Sequence, residues 1–256
     1  MEIAGRGRIL IWEGASLWLM EALPAKGRSS NSTAFHSHHA IQITLSLGGR
    51  FVLRTKNGSV AGDAAVAPDV EHLFEAEGRI AIVFIEPESR PGRAVTKAVL
   101  GDAALAPIPD GVIADLVERL RDVYLKSPKD EEALAGIGGL IVERLAGRIA
   151  GTVPDMRVRK MIGHITAHLD GAVSLSSAAK EAGLSPSRAR HLFVEQTGLP
   201  FRSYLLWLRI TKALRVMTEG GSLTEAAHEA GFADSAHFSR TFRRMFGLPA
   251  ASLQLQ

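Results

Sequence analysis

Two short stretches near the C-terminal end carry side chains suited to reading the edges of base pairs. Between 185 and 197, Ser187, Arg190, His191 and Val194 fall on one side of a helical pattern whose other side holds Ala189 and Phe193. Between 234 and 246, Ser235, Ala236, Ser239, Arg240 and Arg243 fall opposite Phe238 and Phe242. Arginine can bond bidentately to guanine O6 and N7, and small hydroxyl residues at a helix N-terminus allow close approach to a major groove.

The elements that must position these residues are written twice. LSSAAKEAGLSPSRARHLFVEQTGLPFRSYL runs from Leu175 to Leu205, and LTEAAHEAGFADSAHFSRTFRRMFGLPAASL from Leu223 to Leu253. Each copy reads as two short helices joined by a glycine turn, the grammar of a helix-turn-helix. Ser174 can cap the first helix, Gly183 supplies the turn, and Ser185 followed by Pro186 opens the second helix. Asp234 takes that capping position in the second copy. Between the copies, Phe201 to Glu219 reads as one long, largely apolar helix, expected to be central and to set the spacing of the two modules. Two recognition helices about 34 Å apart would enter successive major grooves on one DNA face. The copies are not equivalent: Gly231 to Phe242 is one residue longer than Gly183 to Phe193. Arg209, on the apolar linking helix, is expected to pair with an acid inside the domain, and Phe193, Phe238, Phe242 and Phe246 to be core.

Charge follows the same division. Residues 152–256 hold thirteen Lys and Arg against eight Asp and Glu, whereas the remainder holds seventeen against nineteen. A basic module beside a faintly acidic one fits a chain in which one half touches phosphates. There is no cysteine, which excludes thiol catalysis, disulfide scaffolds and Cys-based zinc fingers. No stretch reaches the eighteen uninterrupted apolar residues needed to span a bilayer, so a soluble intracellular protein is expected.

Residues 158–253 resemble the DNA-binding domain of the AraC/XylS family of bacterial transcription regulators. The resemblance is carried by SLSSAAKEAGLSPSRARHLF, by Tyr204-Leu205, Arg209 and Ala213 on the linking helix, and by GFADSAHFSRTFRRMFGLPAASL. It implies base reading by Ser187, Arg190 and His191 in the first module and by Ser235, Ala236, Ser239 and Arg240 in the second. Ala236 is too small for hydrogen-bonded readout, although it can meet a thymine methyl group. Arg188, Arg202, Arg243 and Arg244 are expected on phosphates, adding affinity but no sequence preference.

The first hundred residues read as β. Ile41-Gln42-Ile43-Thr44-Leu45 and Phe51-Val52-Leu53 have strand patterns, Asn57-Gly58 marks a hairpin, and Ile80 to Ile85 suits a strand buried on both sides. Gly62-Asp63, Pro68-Asp69 and Glu77-Gly78 punctuate further short strands. His36-Ser37-His38-His39, Gln42 and Gly49, then Gly62, Pro68 and His72, resemble the two motifs of cupin barrels. Strand alternation would put His36, His38, Gln42 and Thr44 on one face. Imidazoles converging in a barrel suit zinc, iron or nickel, but Gln42 stands where the cupin motif has a carboxylate and Ser30 where it has glycine. The reading taken is an effector pocket in which His36, His38, Gln42 and His72 orient a small molecule, with no metal or cofactor. The alternative of purely structural histidines stays open.

After Pro107-Ile108-Pro109, one amphipathic helix is expected with Asp110 as its cap and Val112 to Tyr124 in its pattern. A second is expected from Glu131 to Ile149. Gly136, Gly138 and Gly139 would allow close helix–helix approach. This pair either packs on its own barrel or forms a dimer interface. Gly151 to Pro154 is the expected linker.

The expected fold is therefore α+β in two domains: a cupin-like β-barrel over 1–100 with a helical hairpin over 101–150, and an all-α tandem helix-turn-helix domain over 155–256. The expected function is a cytoplasmic bacterial transcription regulator, not an enzyme. Its partners would be double-stranded promoter DNA, a small-molecule effector, RNA polymerase if it activates, and a second copy if the hairpin dimerises; no membrane is expected. The rival readings are a metal-dependent cupin enzyme with an attached DNA-binding domain, and a constitutive regulator with a vestigial sensor.

Overall fold

The computed structural model describes residues 4–23, 31–147 and 155–255. Ser30, the expected linker at 151–154 and the end of the second expected helix at 149 lie outside the described residues. The fold is α+β. It contains two compact units, Met1–Thr152 together with Arg243–Gln256, and Val153–Phe242.

The first unit is built on one long strand. β1 (Gly5–Trp12), β2 (Ala15–Ala22), β3 (Asn31–Ser32), β4 (Ile41–Ser46), β5 (Arg50–Thr55), β6 (Gly58–Ala61) and β7 (Ala64–Val66) precede β8 (His72–Ile85). The first half of β8 pairs with β3 and β5, and its second half pairs with β2 and β4. Glu77-Gly78 was expected to end a strand; instead the strand continues and changes sheets there. Gly78 has φ +77°, and a Cβ on it would come within 3.1 Å of the Gly49 Cα, so a glycine turns this corner without breaking the chain's pairing. The hairpin expected at Asn57-Gly58 forms one residue earlier. Thr55 pairs with Gly58, leaving Lys56 and Asn57 as the loop, because Gly58 already serves the β6 ladder.

Period-2 alternation divides the central strands. Leu17, Leu19, Ile41, Ile43, Leu45, Ala81, Val83 and Ile85 enter one buried cluster, together with Leu116 and Leu120 of α2 (Ala114–Lys126) and Leu134, Ile137, Ile141 and Leu145 of α3 (Glu131–Ala146). The helical pair thus packs on its own sheet. Of the three glycines in α3 only Gly138 is crowded: a Cβ would come within 2.8 Å of Trp12, so the close approach is helix to strand, not helix to helix. Asp110 does not cap α2. Gly111 takes φ +80° and turns the chain, Ile113 occupies the cap position without a side-chain bond, and Val112 is left exposed. The intervening α1 (Arg90–Val95), capped by Ser89, and β9 (Leu105–Pro107), paired with β7, had no clear periodic signal in so few residues.

The C-terminal segment completes this unit. β10 (Leu253–Leu255) pairs in parallel with β1, Gly5 opposite Leu253 and Gly7 opposite Leu255. Phe246, expected in the core of the second module, packs its ring 5.1 Å from Trp18 and 5.8 Å from Phe84. The two Gly-Leu-Pro repeats therefore part company: 198–200 leads into the long helix that starts at Phe201, 247–249 into a single 3-10 turn, Ala250–Ser252, and then this strand.

The second unit holds α4 (Met156–Ala167), α5 (Leu175–Glu181), α6 (Pro186–Thr197), α7 (Phe201–Thr218), α8 (Leu223–Glu229) and the start of α9 (Ser235–Phe246). Ser174 and Ser222 each form a capping box, with Ser177 and Glu225. Gly183 and Gly231 hold φ +66° and +75° in the two turns. The expected acid partner of Arg209 is replaced by backbone. Its guanidinium donates to Leu169 O at 3.3 Å and Gly171 O at 3.0 Å, satisfying carbonyls left open just after α4.

That contact makes the two turns unequal. A Cβ on Gly183 meets nothing within 4 Å, whereas one on Gly231 would come within 2.3 Å of Leu169 O. Gly183→Ala should cost about 1 kcal/mol, from the left-handed backbone alone. Gly231→Ala should cost about 2–3 kcal/mol, because the crowding atom is backbone fixed by Arg209. Urea unfolding of the two variants checks this; equal losses would contradict it.

Candidate nucleic-acid interface and sensor pocket

Each recognition helix has a capped start and a free face. On α6, Ser185 Oγ accepts from the Arg188 backbone N–H at 3.3 Å, Pro186 holds the first turn, and Ala189, Leu192 and Phe193 are buried. Ser187, Arg188, Arg190 and His191 are all exposed. On α9, Asp234 Oδ1 accepts from the His237 backbone N–H at 2.6 Å, and the His237 ring stands edge-on to Phe232. Ala236, Arg240, Arg243 and Arg244 are exposed, Ser235 and Ser239 half-buried, and Phe238 and Phe242 buried. Arg202 is exposed at the start of α7. The extra residue between Gly231 and Phe242 lies before the helix: the cap comes two residues after Gly183 but three after Gly231.

The four polar residues expected in the first unit are brought together. His38 Nε2 lies 2.9 Å and His72 Nε2 3.2 Å from the Gln42 amide, whose other end is 2.9 Å from Thr44 Oγ1. His36 and His72 form an antiparallel bridge, their rings 4.3 Å apart. Burial, followed by the neighbouring His72, lowers the His36 pKa to about 4. Burial also drives His38 well below the ordinary value, with His72 and His36 adding to it, and lowers His72. All three rings are therefore neutral near pH 7. His72 Nδ1–H donates to Val70 O at 2.8 Å, and His38 bonds the backbone at Ala40. Gln42 Oε1 faces both Nε2 atoms and its NH2 donates to Thr44 Oγ1, whereas neutral rings that donate Nδ1–H to the backbone would be matched by the amide turned to present its NH2 to them. Ligand atoms of His36, His38 and His72 lie within 4.8 Å of one another, close enough for small side-chain movements to bring three imidazoles around one cation.

Beside this network is a cavity of about 90 Å³. Its apolar wall comes from the even-numbered face of the strands that bury their odd-numbered face in the core. Trp18 is registered with Ile82 and Met20 with Ile80, while Phe84 is registered with Gln42. His36, Asn31 and Thr33 add polar groups. Sequence reading located the polar end but missed the apolar wall, although the alternation of Trp18 with Met20 and of Ile80, Ile82 and Phe84 carried it.

A second polar cluster was not anticipated. His39 is buried and bonded at 3.0 Å to Asp69 and 3.2 Å to Glu88. Burial, the largest single influence, lowers its pKa, but the two carboxylates outweigh it and hold it at about 9. Nearby Glu86 is raised to about 7 by burial and by the charge of Glu88. His39 is thus a charged strut, unlike its neighbour His38.

Two capped helix-turn-helix modules in one chain, each with arginine on the free face of its second helix, have the form of modules that enter the major groove of duplex DNA. The helix-turn-helix domain family matches residues 178–255. The chain is 37% identical over 94 residues to the HTH-type transcriptional activator RhaS of Escherichia fergusonii, covering 36% of this chain and 34% of that protein. It is 36% identical over 95 residues to the arabinose operon regulatory protein of Escherichia coli K12, covering 36% and 32%. The match spans about a third of the length of these relatives. Among solved structures, ToxT from Vibrio cholerae superposes with a TM-score of 0.58 at 14% identity, over 93% of this chain and 95% of that one, a likeness of fold. Residues 178–255 thus carry a helix-turn-helix domain similar to those of the RhaS and arabinose operon regulators.

Proposed function

We propose that the protein is a transcription regulator that binds promoter DNA through both modules of one chain and responds to a small molecule held in its β-rich unit. The observation that carries this reading is the pair of capped recognition helices with Arg190 and Arg240 exposed. Ser187, Arg190 and His191 read bases in one groove, and Ser235, Ala236, Ser239 and Arg240 in the next. Arg188, Arg202, Arg243 and Arg244 meet phosphates. The two half-sites differ in sequence, because the two helices differ in side chains and in the loop before them. Such a protein works in the cytoplasm, engages RNA polymerase if it activates, and needs no second copy to occupy two grooves. Among the described residues no helix is long and apolar enough to cross a membrane.

His36, His38, Gln42 and His72 form the polar end of the effector site. ToxT, which shares the fold, has been crystallised with an unsaturated fatty acid bound, a precedent for an apolar ligand in this architecture. The test is a gel shift on the DNA upstream of the protein's own gene, with and without candidate effectors. A shift that ordinary competitor DNA abolishes would count against specific reading.

The spacing of the three imidazoles favours one second reading, a divalent cation held by His36, His38 and His72 with the Gln42 carbonyl beside it. Metal analysis of the purified protein decides it. Stoichiometric zinc, iron or nickel that disappears in His38→Ala supports a metal; its absence from both proteins removes the enzyme reading as well.

A further inference from the structure

The cavity beside the histidines has a wall that the sensor reading alone does not explain. Phe246, Leu248 and Leu253, all from the C-terminal segment, line it. The segment is pinned there by more than side chains. Ala34 N–H donates to Gly247 O at 2.9 Å, Ala4 N–H donates to Ser252 O at 2.9 Å, and β10 pairs with β1. Gly247 is seated so closely, at φ +69°, that a Cβ would come within 2.4 Å of Ala34 O and 2.7 Å of His36 Nδ1. The loop that supplies His36 therefore also anchors the segment.

The lining also restricts the occupant. Among the described lining residues there is no Lys, Arg, Asp or Glu. A carboxylate or ammonium would lose its hydration there without a counter-charge. His36 donates Nδ1–H to Ala34 O at 2.9 Å, which leaves Nε2 as an acceptor; its complement is a hydroxyl or N–H. At about 90 Å³ the cavity is smaller than the roughly 150 Å³ closed void that admits benzene, but among the described residues it is open on one side, so a short chain, or a single small ring seated at the mouth, is the limit.

Resting on the sensor reading, we propose that the site takes a small uncharged molecule, apolar except for one hydroxyl or N–H donor, and that this ligand and the C-terminal segment hold each other in place. A molecule filling the cavity gives Phe246, Leu248 and Leu253 contact atoms that the void lacks. By linkage, whatever the ligand adds to the docking of the segment, the segment adds to the affinity for the ligand. Phe246 is the last residue of α9, so the effector acts on the end of the second recognition helix through covalent continuity.

The experiment is hydrogen exchange on the full-length protein with phenol as probe and benzoate and hexanoate as charged comparators, alongside calorimetric affinities. Phenol should slow exchange in the peptide 247–256 by about fivefold or more, and Phe246→Ala and Leu253→Ser should each weaken phenol binding by a similar factor. The milder Leu253→Ser keeps the test valid if Phe246→Ala disturbs folding. Phenol binding with exchange unchanged or faster overturns the mutual stabilisation. Tighter binding of benzoate or hexanoate overturns the ligand class. Failure of all three to bind, with DNA binding intact, overturns the sensor reading itself and this inference with it.

Discussion

Arg190→Ala and Arg240→Ala should each weaken binding to the specific site by about 1–3 kcal/mol, roughly tenfold to a hundredfold, and relax preference at the base each one contacts. Both side chains are exposed on helices whose opposite faces are fixed by buried phenylalanines, so their loss leaves the fold intact. The sites lie in separate modules, and the effects should add in the double variant. Arg243→Ala should behave differently, lowering affinity for all duplexes alike and reducing the salt slope by about one. Binding titrations on specific and scrambled duplexes at two salt concentrations separate the two behaviours. If Arg190→Ala lost equal affinity for both duplexes, it would be a phosphate contact and the base-reading assignment would be wrong.

Stability should be bell-shaped in pH, with a maximum near the ordinary histidine pKa of about 6.5. His36, His38 and His72 bind protons less readily when folded than when unfolded. Their contribution is complete above pH 6.5 and is lost as the pH falls through the folded values, about 4 for His36. From His36 alone the loss is about 3 kcal/mol, and its two neighbours act in the same direction. Glu86 and His39 have the opposite sign. Their folded pKa values are raised, to about 7 and about 9, so their contributions are complete below the unfolded values and are lost as the pH rises through those points. Chemical unfolding from pH 4 to 9 should show both limbs. His36→Phe should flatten the acid limb and spare the alkaline one, and His39→Gln should do the reverse. An acid limb untouched by His36→Phe would assign it to ordinary surface carboxylates.

The tandem modules were legible because their signals are local. A cap, a turn glycine and a phenylalanine four residues from its partner lie within a dozen positions, and Ser174, Gly183, Ser185 and Asp234 take the roles their types suggest. The histidine cluster was legible for a similar reason, since His36, His38 and Gln42 are close in sequence. His72 needed the motif spacing to be linked to them. Contacts that depend on distant partners were not legible. Arg209 binds carbonyls thirty-eight and forty residues away, and the opposite protonation of His38 and His39 follows from which carboxylates fold against each ring.

By itself, then, the sequence determined two helix-turn-helix units, their unequal loops, the arginines on their free faces and a β-rich unit carrying histidines, all properties of short-range pattern. Only the tertiary structure decided that Gly78 carries one strand between two sheets, that Gly247-Leu248-Pro249 leads through one short 3-10 turn to a strand instead of into a long helix, and that the segment after the second recognition helix walls the cavity. The last two rest on pairing across more than two hundred residues, such as Gly5 with Leu253, and the first on the close approach of Gly78 to Gly49. Backbone hydrogen bonding of that range is blind to side-chain type, so no local pattern records it.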